Sequence, residues 1–123
     1  MTRVLVVDDD ADIRFVSELL VDEGYVVDCA SDGAHALQRA RDVPPAAILL
    51  DLMMPVLDGW GFLDLCRRQS ICKGVPVVVT SAAHGLHEMT GRLKQLGVRD
   101  ILAKPFDLVA LIALMRRYAP LAA

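Results

Sequence analysis

Several residue types and patterns are scarce in this 123-residue chain, and each scarcity excludes a class of protein. Lys and Arg never cluster beyond the pairs Arg67-Arg68 and Arg116-Arg117, and the net charge is −3, so this domain is not expected to bind nucleic acid. No apolar run approaches the roughly 20 residues that a membrane-spanning helix needs, so we expect no contact with a membrane. No signal peptide precedes the first apolar run, and we expect a cytoplasmic protein.

Cysteine is also scarce in the chain. The three cysteines, Cys29, Cys66 and Cys72, are odd in number and show no CxxC spacing. Metal-binding and redox motifs use closely paired cysteines, so we expect three reduced thiols that have no chemical role.

The length and the overall composition are those of one compact domain. Hydrophobic residues make up 54% of the chain and charged residues 24%, which is typical of a domain with a large apolar core. A chain of this length can fill one hydrophobic core and is too short for two. We therefore predict a single domain over residues 1–123.

Four short apolar runs each end in polar residues, and this arrangement is the most informative feature of the chain. Short runs that are rich in Val, Ile and Leu are typical of strands buried on both faces of a parallel sheet. The runs are residues 4–7, followed by Asp8, Asp9 and Asp10; 46–50, followed by Asp51; 76–79, followed by Thr80 and Ser81; and 101–103, followed by Lys104. The carboxyl ends of parallel strands meet at one edge of a sheet, so these polar side chains are predicted to share one crevice.

Helical patterns alternate with the strands along the chain. Apolar residues recur at helical spacing between the strands, and glycines such as Gly24 and Gly97 mark the ends of helices. About five strands that alternate with five helices through short loops predict an α/β fold, a doubly wound parallel sheet with helices on both sides. The predicted strand order is 2-1-3-4-5, which places Asp8 and Asp9 beside Asp51.

The crowded carboxylates repel one another unless positive charge joins them, so they predict a bound cation. Oxygen ligands of this kind suit Mg²⁺, with Asp9 and Asp51 as direct ligands and Asp8 nearby through water. A carboxylate can also attack phosphorus, so Asp51 is predicted to accept a phosphoryl group whose charge the metal neutralises. Lys104 can pair with the phosphoryl oxygens, and the hydroxyl of Ser81 can donate to another of them.

Four segments together resemble the receiver domain of bacterial two-component response regulators. They are VLVVDDDADIR, ILLDLMMPVLDGWGFL, PVVVTSAA and AKPF, and the resemblance extends over essentially the whole chain, with the segments in the right order and at the right separations. The resemblance implies a flavodoxin-like fold with Mg²⁺ or Mn²⁺ as cofactor. It also implies that a sensor histidine kinase or a histidine phosphotransfer protein phosphorylates an aspartate, and that a downstream protein is the target.

The resemblance assigns roles to particular residues of this chain. Asp51 corresponds to the phosphoacceptor. Asp8 and Asp9 correspond to the acidic pair of the family, with Asp9 as the direct metal ligand. The backbone carbonyl of Met53 corresponds to the third protein ligand of the metal, and Lys104 corresponds to the lysine of the family's site.

Two further correspondences concern the ends of the last two strands. Pro105 follows Lys104 and corresponds to a cis-proline of the family. Thr80 and Ser81 are adjacent, and strand alternation lets only one of the two hydroxyls face the site. The spacing from Pro76 places Ser81 at the family's switch position, and Thr80 remains the alternative.

The chain departs from the pattern of the family at two places. Ile101 stands three residues before Lys104, where the family has a Tyr or Phe that rotates on phosphorylation, so we expect backbone and loop shifts to carry the switch instead. Met53 and Ala83 stand at the positions that tune dephosphorylation, and neither side chain can orient an attacking water. The phosphoryl form is therefore expected to decay slowly.

The predicted function is a phosphorylation-activated switch rather than an enzyme. The expected change is at the surface of the fourth helix, fifth strand and fifth helix, in a monomer or in a homodimer that forms on phosphorylation. One alternative is a receiver-like interaction module that takes no phosphate, although all the acidic and lysine positions are filled. The other is a haloacid dehalogenase-type phosphatase that uses Asp8 and Asp10 in a DxD motif. Against it, Asp12 stands where that family has Thr or Val, and Asp107 alone follows in place of an acidic pair.

Overall fold

The computed structural model of this chain describes residues 2–11, 13–54, 56–82 and 88–121. Five strands and five helices alternate along these residues, as predicted. The strands are β1 (Arg3–Val7), β2 (Val26–Ala30), β3 (Ala47–Asp51), β4 (Val77–Ser81) and β5 (Val98–Ala103). The helices are α1 (Ile13–Asp22), α2 (Gly33–Asp42), α3 (Gly59–Arg68), α4 (Thr90–Gln95) and α5 (Leu108–Tyr118).

All five strands form one parallel sheet in the order β2-β1-β3-β4-β5. This is the order predicted from the sequence, and the predicted fold class is confirmed. Val7 at the end of β1 lies opposite Leu50 in β3, and Asp51 at the end of β3 lies opposite Thr80 in β4. The carboxyl ends of β1, β3, β4 and β5 therefore meet at one edge of the sheet.

Helices cover both faces of the sheet, and alternate residues of the central strands enter two separate cores. Ile48 and Leu50 belong to the core on the side of α2, α3 and α4. Leu49, between them in the chain, belongs to the core on the side of α1 and α5. Every residue of β3 and β4 is buried, which explains why these strands are continuous apolar runs in the sequence rather than alternating ones.

Aspartate side chains cap the N-termini of three of the helices. Asp32, Asp58 and Asp107 each accept a hydrogen bond from a backbone N–H in the first turn of α2, α3 and α5 respectively. These caps provide partners for N–H groups that the first turn of a helix leaves unpaired. Within the described part of the chain, none of the helices is long and apolar enough to span a membrane.

Helix α4 is held against α3 by two arginine side chains. The Nη1 of Arg67 donates to the carbonyl oxygen of Gln95 at 2.6 Å. The guanidinium carbon of Arg92 lies 4.7 Å from the ring centroid of Trp60. With only six residues, α4 has little helical stability of its own, so its position depends on these contacts and on the burial of Leu93 beneath it.

The ends of the strands differ from the sequence-based boundaries by a few residues. Asp51, Thr80 and Ser81 were predicted to follow their strands, but they are the last residues of β3 and β4. The reason is that backbone pairing continues past the apolar runs, since the N–H of Leu52 still donates to the carbonyl oxygen of Thr80 at 3.2 Å. β5 likewise begins earlier than predicted, at Val98.

The prediction of three reduced thiols is wrong for two of the cysteines. Cys66, near the end of α3, and Cys72, in the loop that follows, form a disulfide. Their spacing in the sequence matches no motif, and they meet because the chain turns back after α3. Cys29 is a free thiol, as predicted, and it lies on the surface.

Candidate functional site

Asp51, the last residue of β3, is a carboxylate buried at the carboxyl edge of the sheet. Only 5% of the residue is exposed, because β1 and β4 lie on either side of it. Its Oδ1 accepts a hydrogen bond from the backbone N–H of Met53 at 3.1 Å. Its Oδ2 accepts one from the Nζ of Lys104 at 3.2 Å. The carboxyl end of β3, the central strand of the sheet, therefore carries a buried carboxylate whose two oxygens each accept a hydrogen bond.

Lys104 connects two of the carboxylates at this edge. It follows β5, and its backbone N–H donates to the carbonyl oxygen of Ser81 at 2.9 Å, which continues the pairing of β4 with β5. Its Nζ lies 2.7 Å from Oδ2 of Asp8 and 3.2 Å from Oδ2 of Asp51. The peptide bond between Lys104 and Pro105 is cis, as the resemblance implies. The ammonium group is thus placed between the ends of β1 and β3.

Three carboxylates converge beside this ammonium group. One oxygen from each of Asp8, Asp9 and Asp51 lies within 4.8 Å of the other two. Neighbouring ligands of Mg²⁺ are about 3 Å apart and opposite ligands about 4.2 Å, because each Mg–O bond is about 2.1 Å, so oxygens at these separations could hold one ion directly or through a water. Asp9 is exposed and Asp8 half-buried, which leaves space for the waters that Mg²⁺ retains. This donor set fits the predicted cation.

Burial raises the pKa of Asp51 above its ordinary value of 3.8. The hydrogen bond from the N–H of Met53 lowers this pKa, the nearby charge of Asp8 raises it, and Lys104 lowers it again. Because the net shift is upward, the ionised form of Asp51 is less favourable in the folded protein than in the unfolded chain. A bound cation favours that ionised form, since it adds positive charge beside it.

The pKa of Lys104 is raised from its ordinary value of 10.5. Burial alone would lower this pKa, but the hydrogen bond and charge of Asp8, followed by those of Asp51, outweigh the effect of burial. Lys104 is therefore fully protonated at neutral pH. It is a mobile point charge that can attract an anion to this edge of the sheet.

Thr80 and Ser81 are both buried at the end of β4, and strand alternation directs their side chains to opposite faces of the sheet. Thr80 lies opposite Asp51 in the strand register and lines an open cavity of about 500 Å³ together with Asp8 and Lys104. Ser81 stands one residue nearer the carboxyl edge, and its carbonyl oxygen pairs with the N–H of Lys104. The choice of Ser81 as the switch hydroxyl stays a prediction.

The remaining predicted residues lie at the margin of the site. The side chain of Met53 is exposed, and the role of its carbonyl oxygen as a metal ligand stays a prediction. Ile101 in β5 is half-buried and packs against the core on the side of α2, α3 and α4. Ala83 lies outside the described residues, so the prediction of slow dephosphorylation is not addressed at that position.

The ion pair between Lys104 and Asp8 is a feature that the sequence did not predict. The expected partners of Lys104 were phosphoryl oxygens, and β1 and β5 are separated in the sheet by β3 and β4. Strand pairing therefore gives no indication that these two residues meet. The sequence does indicate that both residues lie at the same edge of the sheet, where a long lysine side chain can extend across the ends of several strands.

Comparison with known proteins relates the chain to one family. A family model described as the response regulator receiver domain matches residues 4–116. The response regulator MprA of Mycobacterium ulcerans is 40% identical over 116 residues, which cover 93% of this chain and 48% of the relative. The transcriptional regulatory protein PrrA of Mycobacterium leprae is 43% identical over 112 residues, which cover 90% of this chain and 47% of the relative. The chain thus spans about half the length of these curated relatives.

Solved structures share the fold over nearly the whole chain. The chemotaxis protein CheY4 of Vibrio cholerae has a TM-score of 0.86 and 34% sequence identity, covering 96% of this chain and 98% of that one. The receiver domain of the sensor histidine kinase PA1611 from Pseudomonas aeruginosa PAO1 has a TM-score of 0.84 and 30% identity, covering 95% and 96% respectively. That structure has a magnesium ion coordinated in its active site cleft.

Proposed function

The chain belongs to the response regulator receiver domain family, and we propose on that basis that Asp51 is its phosphoacceptor. A receiver domain is a phosphorylation-activated switch of two-component signalling. In the proposed step an oxygen of Asp51 attacks the phosphorus of a phosphohistidine, the P–N bond breaks with its electrons passing to the histidine ring, and an aspartyl-phosphate forms. The observation that carries this proposal is the burial of Asp51 between a lysine ammonium group and two further carboxylates.

Mg²⁺, or Mn²⁺ in its place, is the proposed cofactor. When bound, it offsets the negative charge on the phosphoryl oxygens during transfer. The residues proposed to hold it are Asp8, Asp9, Asp51 and the backbone carbonyl of Met53. We assign Asp8 a contact through water, because it forms the shorter of the two ion pairs with Lys104, at 2.7 Å against 3.2 Å for Asp51. Asp9 is the exposed carboxylate of the three, and Asp9 and Asp51 are the proposed direct carboxylate ligands.

Lys104 and Ser81 are the groups proposed to respond to phosphorylation. The Nζ of Lys104 lies 3.2 Å from Oδ2 of Asp51, so a small movement brings it to a phosphoryl oxygen. Ser81 is proposed to donate its hydroxyl to a second phosphoryl oxygen. Shifting a population from mostly inactive to mostly active takes about 5 kcal/mol. Hydrogen bonds to charged groups contribute about 1.5–3 kcal/mol each, so two such contacts supply much of it.

The proposed output surface consists of α4, β5 and α5. Lys104 directly follows β5, and Ser81 ends the strand that precedes α4 in the chain. Movement of Ser81 and Lys104 toward a phosphoryl group therefore also moves the segments that lead into α4 and α5. Ile101 has no ring to rotate, so we propose that the change passes through the backbone of β5 and the position of α4.

The proposed partners of this domain are proteins. A sensor histidine kinase or a histidine phosphotransfer protein supplies the phosphoryl group, and a downstream protein contacts the changed surface. A net charge of −3 disfavours binding to the negatively charged backbone of nucleic acid, so we propose no direct contact of this domain with it. Because MprA and PrrA are about twice as long as this chain, the activity of a whole protein that contains it is a separate question. We propose a cytoplasmic location, and a monomer or a homodimer that forms on phosphorylation.

Neither alternative function gains support from a specific observation. A phosphatase of the haloacid dehalogenase type needs Asp8 as its nucleophile, yet the carboxylate buried within this cluster is Asp51, while Asp8 is half-buried. An interaction module that takes no phosphate has no need of three converging carboxylates. The charge of Asp8 adds to the rise that burial causes in the pKa of Asp51.

Intact-mass measurement after incubation with acetyl phosphate and Mg²⁺ tests the proposed function. We expect the wild type to gain the mass of one phosphoryl group and Asp51→Asn to gain none. Asp64→Asn is the matched control, because Asp64 lies on α3 and pairs with Arg68 rather than with the site. It should be labelled at the wild-type rate. An unlabelled wild type, or an Asp51→Asn variant labelled as fast as the wild type, would overturn the proposal.

The choice between the two hydroxyls has its own test. Ser81→Ala and Thr80→Val each remove one hydroxyl and retain an apolar side chain. We expect both variants to be labelled, and hydrogen exchange in α4 to change on labelling in Thr80→Val but not in Ser81→Ala. The reverse result would assign the switch to Thr80.

A further inference from the structure

The loop between β3 and α3, described at residues 52–54 and 56–58, is attached to the start of α2 by its backbone. The N–H of Gly33, the first residue of α2, donates to the carbonyl oxygen of Leu57 at 2.8 Å. The same loop contains Met53, whose N–H donates to Oδ1 of Asp51. The first residue of α2 is therefore connected through one short loop to the carboxylate of the site.

The two backbones approach so closely at this point that only glycine fits at position 33. A Cβ atom added to Gly33 would lie 2.5 Å from the carbonyl oxygen of Leu57 and 2.9 Å from its Cγ. Cβ atoms in proteins essentially never come within 3.0 Å of such neighbours, and a backbone carbonyl cannot turn away as a side chain can. Gly33 has ordinary helical backbone, so the close approach is what requires glycine here.

One described residue of this loop has a backbone conformation that its residue type does not favour. Val56 has a φ of 67°, in the left-handed region that β-branched residues disfavour. The side chain of Val56 is exposed, so its packing does little to hold this conformation. Two backbone contacts therefore hold the loop. The N–H of Gly33 donates to the carbonyl oxygen of Leu57, and the N–H of Gly59 donates to the carbonyl oxygen of Leu52 at 2.9 Å.

We propose that Gly33 is a positioning residue for the phosphoacceptor site. By docking on Leu57 it sets the path of the loop that orients Asp51 and the carbonyl group of Met53. The inference rests on the proposed function, because it concerns how that site is assembled. A methyl group at position 33 displaces the loop and moves the N–H of Met53 away from Oδ1 of Asp51. Altering groups that orient metal ligands typically changes metal affinity or activity by about 10–100-fold.

Three variants that all affect Leu57 separate positioning from packing. Gly33→Ala places a methyl group against the backbone of Leu57. Leu57→Ala removes the side chain and retains the backbone groups that hydrogen-bond to α2. Gly61→Ala places a Cβ atom 2.4 Å from Cδ1 of Leu57, which is the end of a flexible side chain and can turn away. Only the first variant acts directly on the path of the loop.

The test compares these variants with the wild type by calorimetric titration with Mg²⁺ and by the rate of labelling with acetyl phosphate. We expect Gly33→Ala to weaken Mg²⁺ binding and to slow labelling by about tenfold or more. Weakening of α2 does not explain such a loss, because alanine is a better helix former than glycine. Leu57→Ala and Gly61→Ala should retain the wild-type Mg²⁺ affinity and labelling rate, even where the Tm falls.

Two results would overturn the inference and leave the proposed function intact. One is wild-type Mg²⁺ affinity and labelling in Gly33→Ala while Asp51→Asn remains unlabelled. The other is an equal loss in Gly33→Ala, Leu57→Ala and Gly61→Ala, which would indicate general loop packing. Failure of the proposed function is distinguishable from both, because the wild type itself would then not be labelled.

Hydrogen exchange on the wild type tests the same inference if Gly33→Ala does not fold. Addition of saturating Mg²⁺ should slow exchange of the Gly33 N–H, because a metal at the acidic cluster holds the loop that this N–H contacts. The N–H of Val43, which donates to the carbonyl oxygen of Arg39 at the far end of the same helix, is the control and should be unaffected. Unchanged exchange at Gly33 in saturating Mg²⁺ would contradict the inference.

Discussion

Strand β3 contains two kinds of buried residue, and burial has opposite consequences for them. Ile48 and Leu50 are fully buried, and removing their apolar surface from water stabilises the fold. Asp51 is nearly as buried, but burial raises its pKa and disfavours its charged form. One strand therefore combines residues that stabilise the protein with a functional residue that reduces its stability. The apolar part of the strand makes a buried carboxylate tolerable at its end.

The largest effect on stability is expected in the apolar part of β3. Ile48→Ala removes a fully buried side chain from the centre of the sheet and should lower the free energy of unfolding by about 2–5 kcal/mol. Urea unfolding measures this change. Val109→Ala, which shortens an exposed side chain on α5, is the control and should change stability by less than about 0.5 kcal/mol. A loss at Ile48 no larger than at Val109 would remove the contrast within the strand.

A smaller loss is expected from Lys104→Met without Mg²⁺. The substitution retains the length of the side chain but leaves Asp8 and Asp51 without their ammonium partner. Hydrogen bonds to charged groups contribute about 1.5–3 kcal/mol, so we expect a loss of that order in urea unfolding with EDTA present. Mg²⁺ should recover part of it, since a cation again offsets the carboxylates. Equal stability of variant and wild type in EDTA would show that the ion pairs contribute nothing.

Asp51→Asn is expected to have the opposite sign. The amide is similar in shape and carries no charge to bury, so the variant should be more stable than the wild type at neutral pH in EDTA. Saturating Mg²⁺ should reverse the order, because the metal binds the folded wild type more tightly than the folded variant. A variant that is less stable than the wild type in EDTA would contradict the cost assigned to Asp51.

The same residue predicts a pH dependence. Because the pKa of Asp51 is raised on folding, the folded protein binds this proton more tightly than the unfolded chain does. The resulting stabilisation is complete below the ordinary pKa of 3.8 and is lost as the pH rises through the raised pKa. The difference in stability between Asp51→Asn and the wild type should therefore develop over that interval and stay constant above it. A difference that does not change with pH would exclude Asp51 as its source.

The smallest effect is expected at the surface of α3. The Nε of Arg68 lies 3.2 Å from Oδ2 of Asp64, and these side chains are 73% and 50% exposed. Exposed pairs of this kind contribute about 0.3–0.5 kcal/mol, so Arg68→Ala should alter the free energy of unfolding by no more than that. A loss comparable to that of Lys104→Met would mean that solvent exposure does not separate the two sets of ion pairs.

Much of the fold and the convergence at the site could be predicted from the sequence. β3 and β4 are buried on both faces, and such strands are visible as uninterrupted apolar runs. Once these strands are parallel neighbours, the polar residues at their ends must fall at one edge of the sheet. This is why Asp8, Asp51 and Lys104, which are far apart in the sequence, could be grouped correctly.

Contacts that depend on the paths of loops could not be predicted. The ion pair of Lys104 with Asp8 crosses the ends of two intervening strands, and the contact of Gly33 with Leu57 joins a helix start to a distant loop. Periodicity in the sequence indicates which face of a strand or helix a residue occupies. It carries no information on how far a loop extends over its neighbours, and these contacts depend on that distance.

The attachment of α4 to α3 gives the protein an internal optical probe. Trp60 is the only tryptophan in the chain, and Arg92 of α4 lies over its ring. Indole emission depends on charge close to the ring, so any displacement of α4 that separates this pair alters the fluorescence without an added dye. The displacement of α4 proposed for activation would thus be visible in real time, in solution and on the unmodified chain.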